Sequence, residues 1–288
     1  MPHSPEVRLD RLTRAPVVIT RARQTRPNRP AGACPFCPGG LEAPEPYDVR
    51  WFPNRWPPLA KDRSEILLFG PEHGAALWQL GVDGVRNVVD LWADRTVALG
   101  ALDGVAYVLL FENRGHDVGA TIDHPHGQAY AFSEVPPAAL RELTLGRCAL
   151  CDAPPDRVVV SRVGAWTAWC PEASAWPYEL RIAPTDHVQS LPALGAEHRQ
   201  DLAAVLVDAL ARLDQLFDAP MPYMFWWHQR PTDDGEWPLA HLHAHVAPIL
   251  RAPGTPRYVA AGELGSGVFF NPVVPDEAAG KLRSLKGA

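Results

Sequence analysis

The chain has 288 residues, 47% hydrophobic, 21% charged and 9% aromatic, a globular composition that excludes a disordered polymer and allows one large domain or two modest ones. Its 27 Lys and Arg against 33 Asp and Glu give a formal charge of −6, the wrong sign for a protein that draws its affinity from nucleic-acid phosphates. Residues 1–12 have no apolar core and the most apolar run, residues 97–111, is interrupted by Asp103, so a soluble cytoplasmic protein with no secretory signal and no membrane contact is expected.

In chain order, the first landmark is Cys34-Pro-Phe-Cys37, followed by Pro38-Gly39-Gly40, which stops a helix and speaks against a thioredoxin-like redox turn. Residues 65–73 read as a short strand running into a turn that ends at His73. Residues 75–99 carry Leu, Val and Trp three and four apart, the period of a helix with one apolar face. A strand over residues 105–114 and the string His124-Pro-His-Gly-Gln128 follow. The same landmarks then return in the same order. They are Cys148 and Cys151, a strand and turn ending at His187, a helical period over residues 195–216, a strand over residues 222–230, and His241-Leu-His-Ala-His245. His73 follows Cys37 by 36 residues, and His187 follows Cys151 by the same 36. The pattern predicts two duplicated strand-helix-strand units, residues 1–138 and 139–288, with antiparallel sheets side by side in an α+β fold. The tail from residue 253 lies outside the repeat.

Zinc takes four ligands in a tetrahedron, and a Cys-x-x-Cys turn supplies two thiolates at one corner. Convergence of the landmarks predicts one closed site of Cys34, Cys37, His73 and His124. A second has Cys148, Cys151, His187 and His241, with His243 as an alternative to His241. About two structural Zn2+ ions per chain follow, and with no open position they fix loops rather than activate water.

Strand alternation puts His124 and His126 on one face with Gln128 beyond them. With His124 held by a metal, His126 is an imidazole on a rigid backbone, able to attack phosphorus and split a nucleotidyl transfer into two displacements through a phosphoramidate. Gln128 is placed to donate an amide N–H to the nonbridging oxygens, and Gly127 to leave space for the phosphate. An inactive zinc-stabilised nucleotide-binding protein is the reading from another class.

Together with Phe52-Pro-Asn54, Phe69-Gly-Pro-Glu-His73 and Phe111-Glu-Asn113, the strings Cys34-Pro-Phe-Cys37 and His124-Pro-His-Gly-Gln128 resemble the galactose-1-phosphate uridylyltransferase family of the histidine-triad superfamily. The resemblance covers about residues 8–283. It implies two histidine-triad-like units, a homodimer, and exchange of UMP between UDP-glucose and galactose 1-phosphate by a ping-pong route through a uridylylated His126. It also implies phosphate contacts from Arg23 and Arg26 and nucleotide contacts from Asn54 and Asn113, with a nucleotide sugar and a sugar phosphate as partners. Asp123 stands where the best-known bacterial members carry Pro, and the tail from Gly262 to Pro272 replaces their sugar-contacting segment. The second Cys-x-x-Cys and that tail are similar to the sister branch that includes ADP-glucose phosphorylase. The same chemistry on an ADP-sugar or a specialised metabolite is therefore the alternative.

Overall fold

The computed structural model describes residues 5–24 and 32–288. Strands β1 (Glu6–Leu9) and β2 (Pro16–Ile19) form a hairpin of their own. Then β3 (Arg50–Pro53) and β4 (Ser64–Leu68) lead into α1 (Gly81–Gly100), and β5 (Tyr107–Arg114) and β6 (His126–Phe132) return along them. A short helix, α2 (Pro137–Leu143), opens the way to β7 (Val159–Val163), β8 (Trp166–Trp169) and β9 (Leu180–Pro184). After α3 (Ala196–Gln215), strands β10 (Tyr223–His228) and β11 (His243–Pro248) complete the main sheet. The chain ends in the small pair β12 (Leu250–Ala252) and β13 (Thr255–Pro256) and helices α4 (Ala261–Ser266) and α5 (Pro275–Ser284).

The fold is α+β, and the sheets expected side by side are one. Nine antiparallel strands run in the order β3-β4-β6-β5-β10-β11-β9-β8-β7. Reading outward from the seam between β5 and β10, each half places its strands in the same sequence, and β7 is added at the far edge. Helix α3 occupies the span its apolar period predicts. The expected helix from residue 75 starts later, because Leu77–Leu80 is a 3-10 turn and Gly81, at φ 68°, redirects the chain in a conformation that only glycine adopts without strain.

Alternation gives the sheet two unlike faces. The helix-covered face buries Leu67, Trp92, Leu206, Phe225 and Trp227 in one core that crosses the seam. Trp92 on α1 stacks on Phe225 at 5.7 Å and meets Trp227 nearly edge-on at 5.8 Å, so α1 from the first half is anchored on β10 from the second. The other face carries a cross-strand row through Phe52, Ile66, Gln128, Phe111, Trp226 and His245. Among the described residues, no helix is long and apolar enough to cross a membrane.

At the seam, Glu112 is buried and accepts a hydrogen bond from the Tyr223 hydroxyl at 3.1 Å, next to the ion pair of Arg114 with Asp214. Burial pushes its carboxyl from 4.5 up to about 7, with Arg114 opposing the shift. A carboxyl raised on folding contributes stability that is fully present below its unfolded value and is lost as pH rises through the folded one. Between about pH 5 and about pH 8 this group by itself takes stability away as pH rises, so the urea midpoint of Glu112→Gln should gain on that of wild type across that window. Equal slopes in the two proteins would refute the assignment.

Candidate active site and metal centres

The Cys34–Cys37 turn covers the open face of β4, where Phe36 packs with Ile66 and Leu68. This brings ligand atoms of Cys34, Cys37, His73 and His124 within 4.8 Å of one another. Cys37 Sγ lies 3.6 Å from Nδ1 of both His73 and His124. The other nitrogen of His124, Nε2, is 2.9 Å from the Gly70 carbonyl, which can only accept, so the hydrogen sits on Nε2 and the Nδ1 lone pair faces the sulfurs. Burial lowers His124 to about 4, keeping the imidazole in the neutral form that binds a cation. The donor set and the tautomer both fit a tetrahedral metal.

The second half repeats this arrangement with Cys148, Cys151, His187 and His241, again within 4.8 Å. Cys148 Sγ is 3.3 Å from His241 Nδ1, Cys151 Sγ is 3.1 Å from His187 Nδ1, and His241 Nε2 donates to the Pro184 carbonyl at 3.0 Å. Between the two candidates for the last ligand, the geometry brings His241 to the cysteines. His243 instead donates from Nδ1 to the His241 carbonyl at 2.7 Å and turns Nε2 towards Glu142.

Strand β6 begins at His126, two residues later than the string suggests, because Pro125 has no N–H to enter the ladder. His126 Nδ1 lies 2.7 Å from the His124 carbonyl, which puts the hydrogen on Nδ1 and the lone pair on Nε2. The backbone of one metal-ligand candidate thus fixes the tautomer of the next imidazole. His126 lines two cavities. A cleft of about 590 Å3 is walled by Phe36, Phe52, Trp56, Ile66 and Ile122, with Asn54, Gln128, Glu42 and Arg55 among its polar groups, a size suited to a nucleotide. A recess of about 230 Å3 is lined by Asn113, Arg114, Asp123 and His124. Asn54 and Asn113 therefore both reach cavities that His126 borders.

Gln128 shares the His126 face of β6. Its Oε1 accepts from the Tyr130 hydroxyl at 2.9 Å and lies 3.5 Å from Asn54 Nδ2. Arg23 Nη1 is 3.4 Å from the Tyr130 oxygen, so it joins the site through that hydroxyl. Arg26 lies outside the described residues. The expectation that Gly127 clears room for phosphate is corrected. Gly127 lies on the opposite face of β6 from His126, and a Cβ there would come within 2.6 Å of Phe69 Cζ and 2.8 Å of the Phe111 carbonyl oxygen. The glycine lets the core close behind His126.

Residues 58–136 match the family described as galactose-1-phosphate uridyl transferase, N-terminal domain, and residues 148–286 match its C-terminal domain. The chain belongs to the galactose-1-phosphate uridyl transferase family. It is 34% identical to galactose-1-phosphate uridylyltransferase of Thermotoga maritima, over 98% of each chain. It is 25% identical to ADP-glucose phosphorylase of Arabidopsis thaliana, over 98% of this chain and 93% of that one. A solved uridylyltransferase structure superposes with a TM-score of 0.89 at 29% identity, covering 97% of this chain and 98% of the other.

One cluster in this family member escapes the repeat reading. Glu142, His228, His243 and His245 also gather ligand atoms within 4.8 Å, on the second-half face that corresponds to the His126 side of the first half. Glu142 Oε2 is 2.7 Å from His228 Nδ1 and 3.2 Å from His243 Nε2. Burial pushes both His243 and His245 below the ordinary histidine value, with Glu142 opposing the shift. Three nitrogens and a carboxylate make a set that could hold a divalent transition ion. The signal was present in part, since His243 and His245 alternate on one strand. Glu142 had none, because α2 lies between the repeats and has no counterpart to align with.

Proposed function

We propose that this chain is a nucleotidyltransferase that moves UMP between UDP-glucose and galactose 1-phosphate by a ping-pong route through His126. Nε2 of His126 attacks the α-phosphorus of the nucleotide sugar. A P–N bond forms as the P–O bond to glucose 1-phosphate breaks, and the electron pair leaves with the bridging oxygen. A phosphate oxygen of galactose 1-phosphate then attacks the same phosphorus, and the P–N pair returns to Nε2. The observation that carries this reading is the 2.7 Å bond from Nδ1 to the His124 carbonyl. It fixes the neutral ring in the tautomer with its hydrogen on Nδ1 and its lone pair on Nε2, and it strengthens as the phosphorylated ring gains positive charge. Gln128 donates to the nonbridging oxygens, Asn54 and Asn113 contact the nucleotide, and Arg23 and Arg26 contact phosphate.

Zn2+ in each Cys2His2 set holds the loops around this chemistry and takes no part in the displacements. The two units span residues 1–138 and 139–288. Exposed apolar side chains on the first hairpin (Val7, Leu9, Val17) and near the C-terminus (Tyr258, Leu264, Phe270) favour a homodimer, which acts in the cytoplasm on small molecules. The relationship to ADP-glucose phosphorylase supports a second reading, the same His126 chemistry on an ADP-sugar.

UDP-glucose labelled with 32P at the α-phosphate should leave an acid-labile label on the protein, and the β-labelled donor should leave none. A parallel series with ADP-glucose separates the two readings. Protein that takes no label from either α-labelled donor overturns both. Gln128→Ala should still become labelled, but about 10²–10³ more slowly, as for loss of a neutral donor to a developing oxyanion.

A further inference from the structure

A glutamine amide has two orientations of nearly equal shape, and only its neighbours decide which end faces the reacting group. At Gln128 those neighbours are donors. Arg23 has only N–H groups to offer, so where its Nη1 approaches the Tyr130 hydroxyl at 3.4 Å the phenolic oxygen accepts. The hydroxyl hydrogen then points to Gln128 Oε1, 2.9 Å away. Asn54 presents its amide in the same sense. The Trp56 backbone N–H donates to Asn54 Oδ1 at 2.9 Å, which turns Nδ2 towards Gln128 Oε1 at 3.5 Å. Two donors converge on one oxygen, and the flipped amide would set N–H against N–H.

We infer that Tyr130 is a positioning residue whose hydroxyl fixes the Gln128 amide with its N–H groups turned to the phosphoryl group at His126. The inference rests on the role proposed above for Gln128. Tyr130 stands two residues along β6 from Gln128, on the same face, and its ring is held edge-on against Phe111 at 4.8 Å. The donors run in series from Arg23 to Tyr130 to Gln128, so each bond polarises the next and strengthens the terminal N–H as a donor to developing negative charge. That strengthening acts most in the transition state, which places the effect in the rate of labelling more than in the affinity for nucleotide sugar.

Tyr130→Phe keeps the ring and removes only the hydroxyl. Single-turnover labelling of this variant by α-32P UDP-glucose at saturation should be about fivefold to tenfold slower than wild type, as for loss of one neutral hydrogen bond, with the half-saturating concentration within about twofold. In a Gln128→Ala background the same substitution should change the rate by less than about twofold, because the amide it orients is gone. A purely structural tyrosine would give the same loss in both backgrounds, and that result overturns the inference. Tyr130→Phe protein labelled at the wild-type rate also overturns it. Wild-type protein that takes no label refutes the proposed chemistry itself, so the two failures are distinguishable.

Discussion

His126→Ala should abolish covalent capture of the nucleotide while leaving the fold intact. His126 is half-buried on the open face of the sheet and its ring ends in the clefts, so its removal opens no core cavity. Loss of a slow-step donor such as Gln128 leaves a pathway, whereas loss of the nucleophile removes it. His126→Gly in the presence of free imidazole should recover turnover in part, since the vacated volume adjoins a cleft of about 590 Å3. His243 is the second-half counterpart of His126 and has the same Nδ1 bond to a preceding carbonyl, yet it is no substitute. It is only 5% exposed and its Nε2 is 3.2 Å from Glu142. Peptide mapping after α-32P labelling checks this. A label on the peptide that carries His243 in the His126→Ala protein would move the active site into the second half.

The duplicated spacing of Cys37 to His73 and Cys151 to His187 was enough to read both Cys2His2 sets, because a metal site forces distant segments to converge whatever lies between them. The pairing of His124 with His126 was legible for a related reason. His124 and His126 are close in sequence, and the carbonyl of one fixes the ring of the other. Features that depend on which face a residue takes were harder to read. Gly127 alternates away from His126, so its role is set by Phe69 and by the backbone of the neighbouring strand β5 at Phe111, contacts that no local pattern encodes. The choice between His241 and His243 turned on where β11 begins, and β11 begins at His243. Glu142 and Tyr130 become meaningful only once Glu142 of α2 reaches His228 of β10 and His243 of β11 and once Arg23 has come to β6. Likewise, side-by-side sheets were readable from the repeat, but the seam of β5 with β10 is a tertiary pairing of Tyr223 with Arg114 and Phe225 with Glu112.

Removing metal from the two centres should separate stability from chemistry. His73 and His187 are both exposed, so replacing either by Ala in a metal-free protein would be a surface change of within about 0.5 kcal/mol. If each holds Zn2+, the same substitutions remove a ligand from a closed site whose binding energy is folding energy, and the cost should be several kcal/mol. His187→Ala should lower the melting temperature markedly and reduce bound zinc by one equivalent, with the single-turnover labelling rate of the folded protein close to wild type. His73→Ala should lower the melting temperature and also slow labelling, because His124 belongs to that site and its carbonyl holds His126 Nδ1. A chelator should bring wild type and both variants to a common, lower melting temperature. Elemental analysis and calorimetry on the three proteins check each step. His187→Ala protein that melts like wild type would refute a structural ion in the second half. His73→Ala protein that is destabilised but labels at full rate would show that the first metal centre does not hold the nucleophile in place.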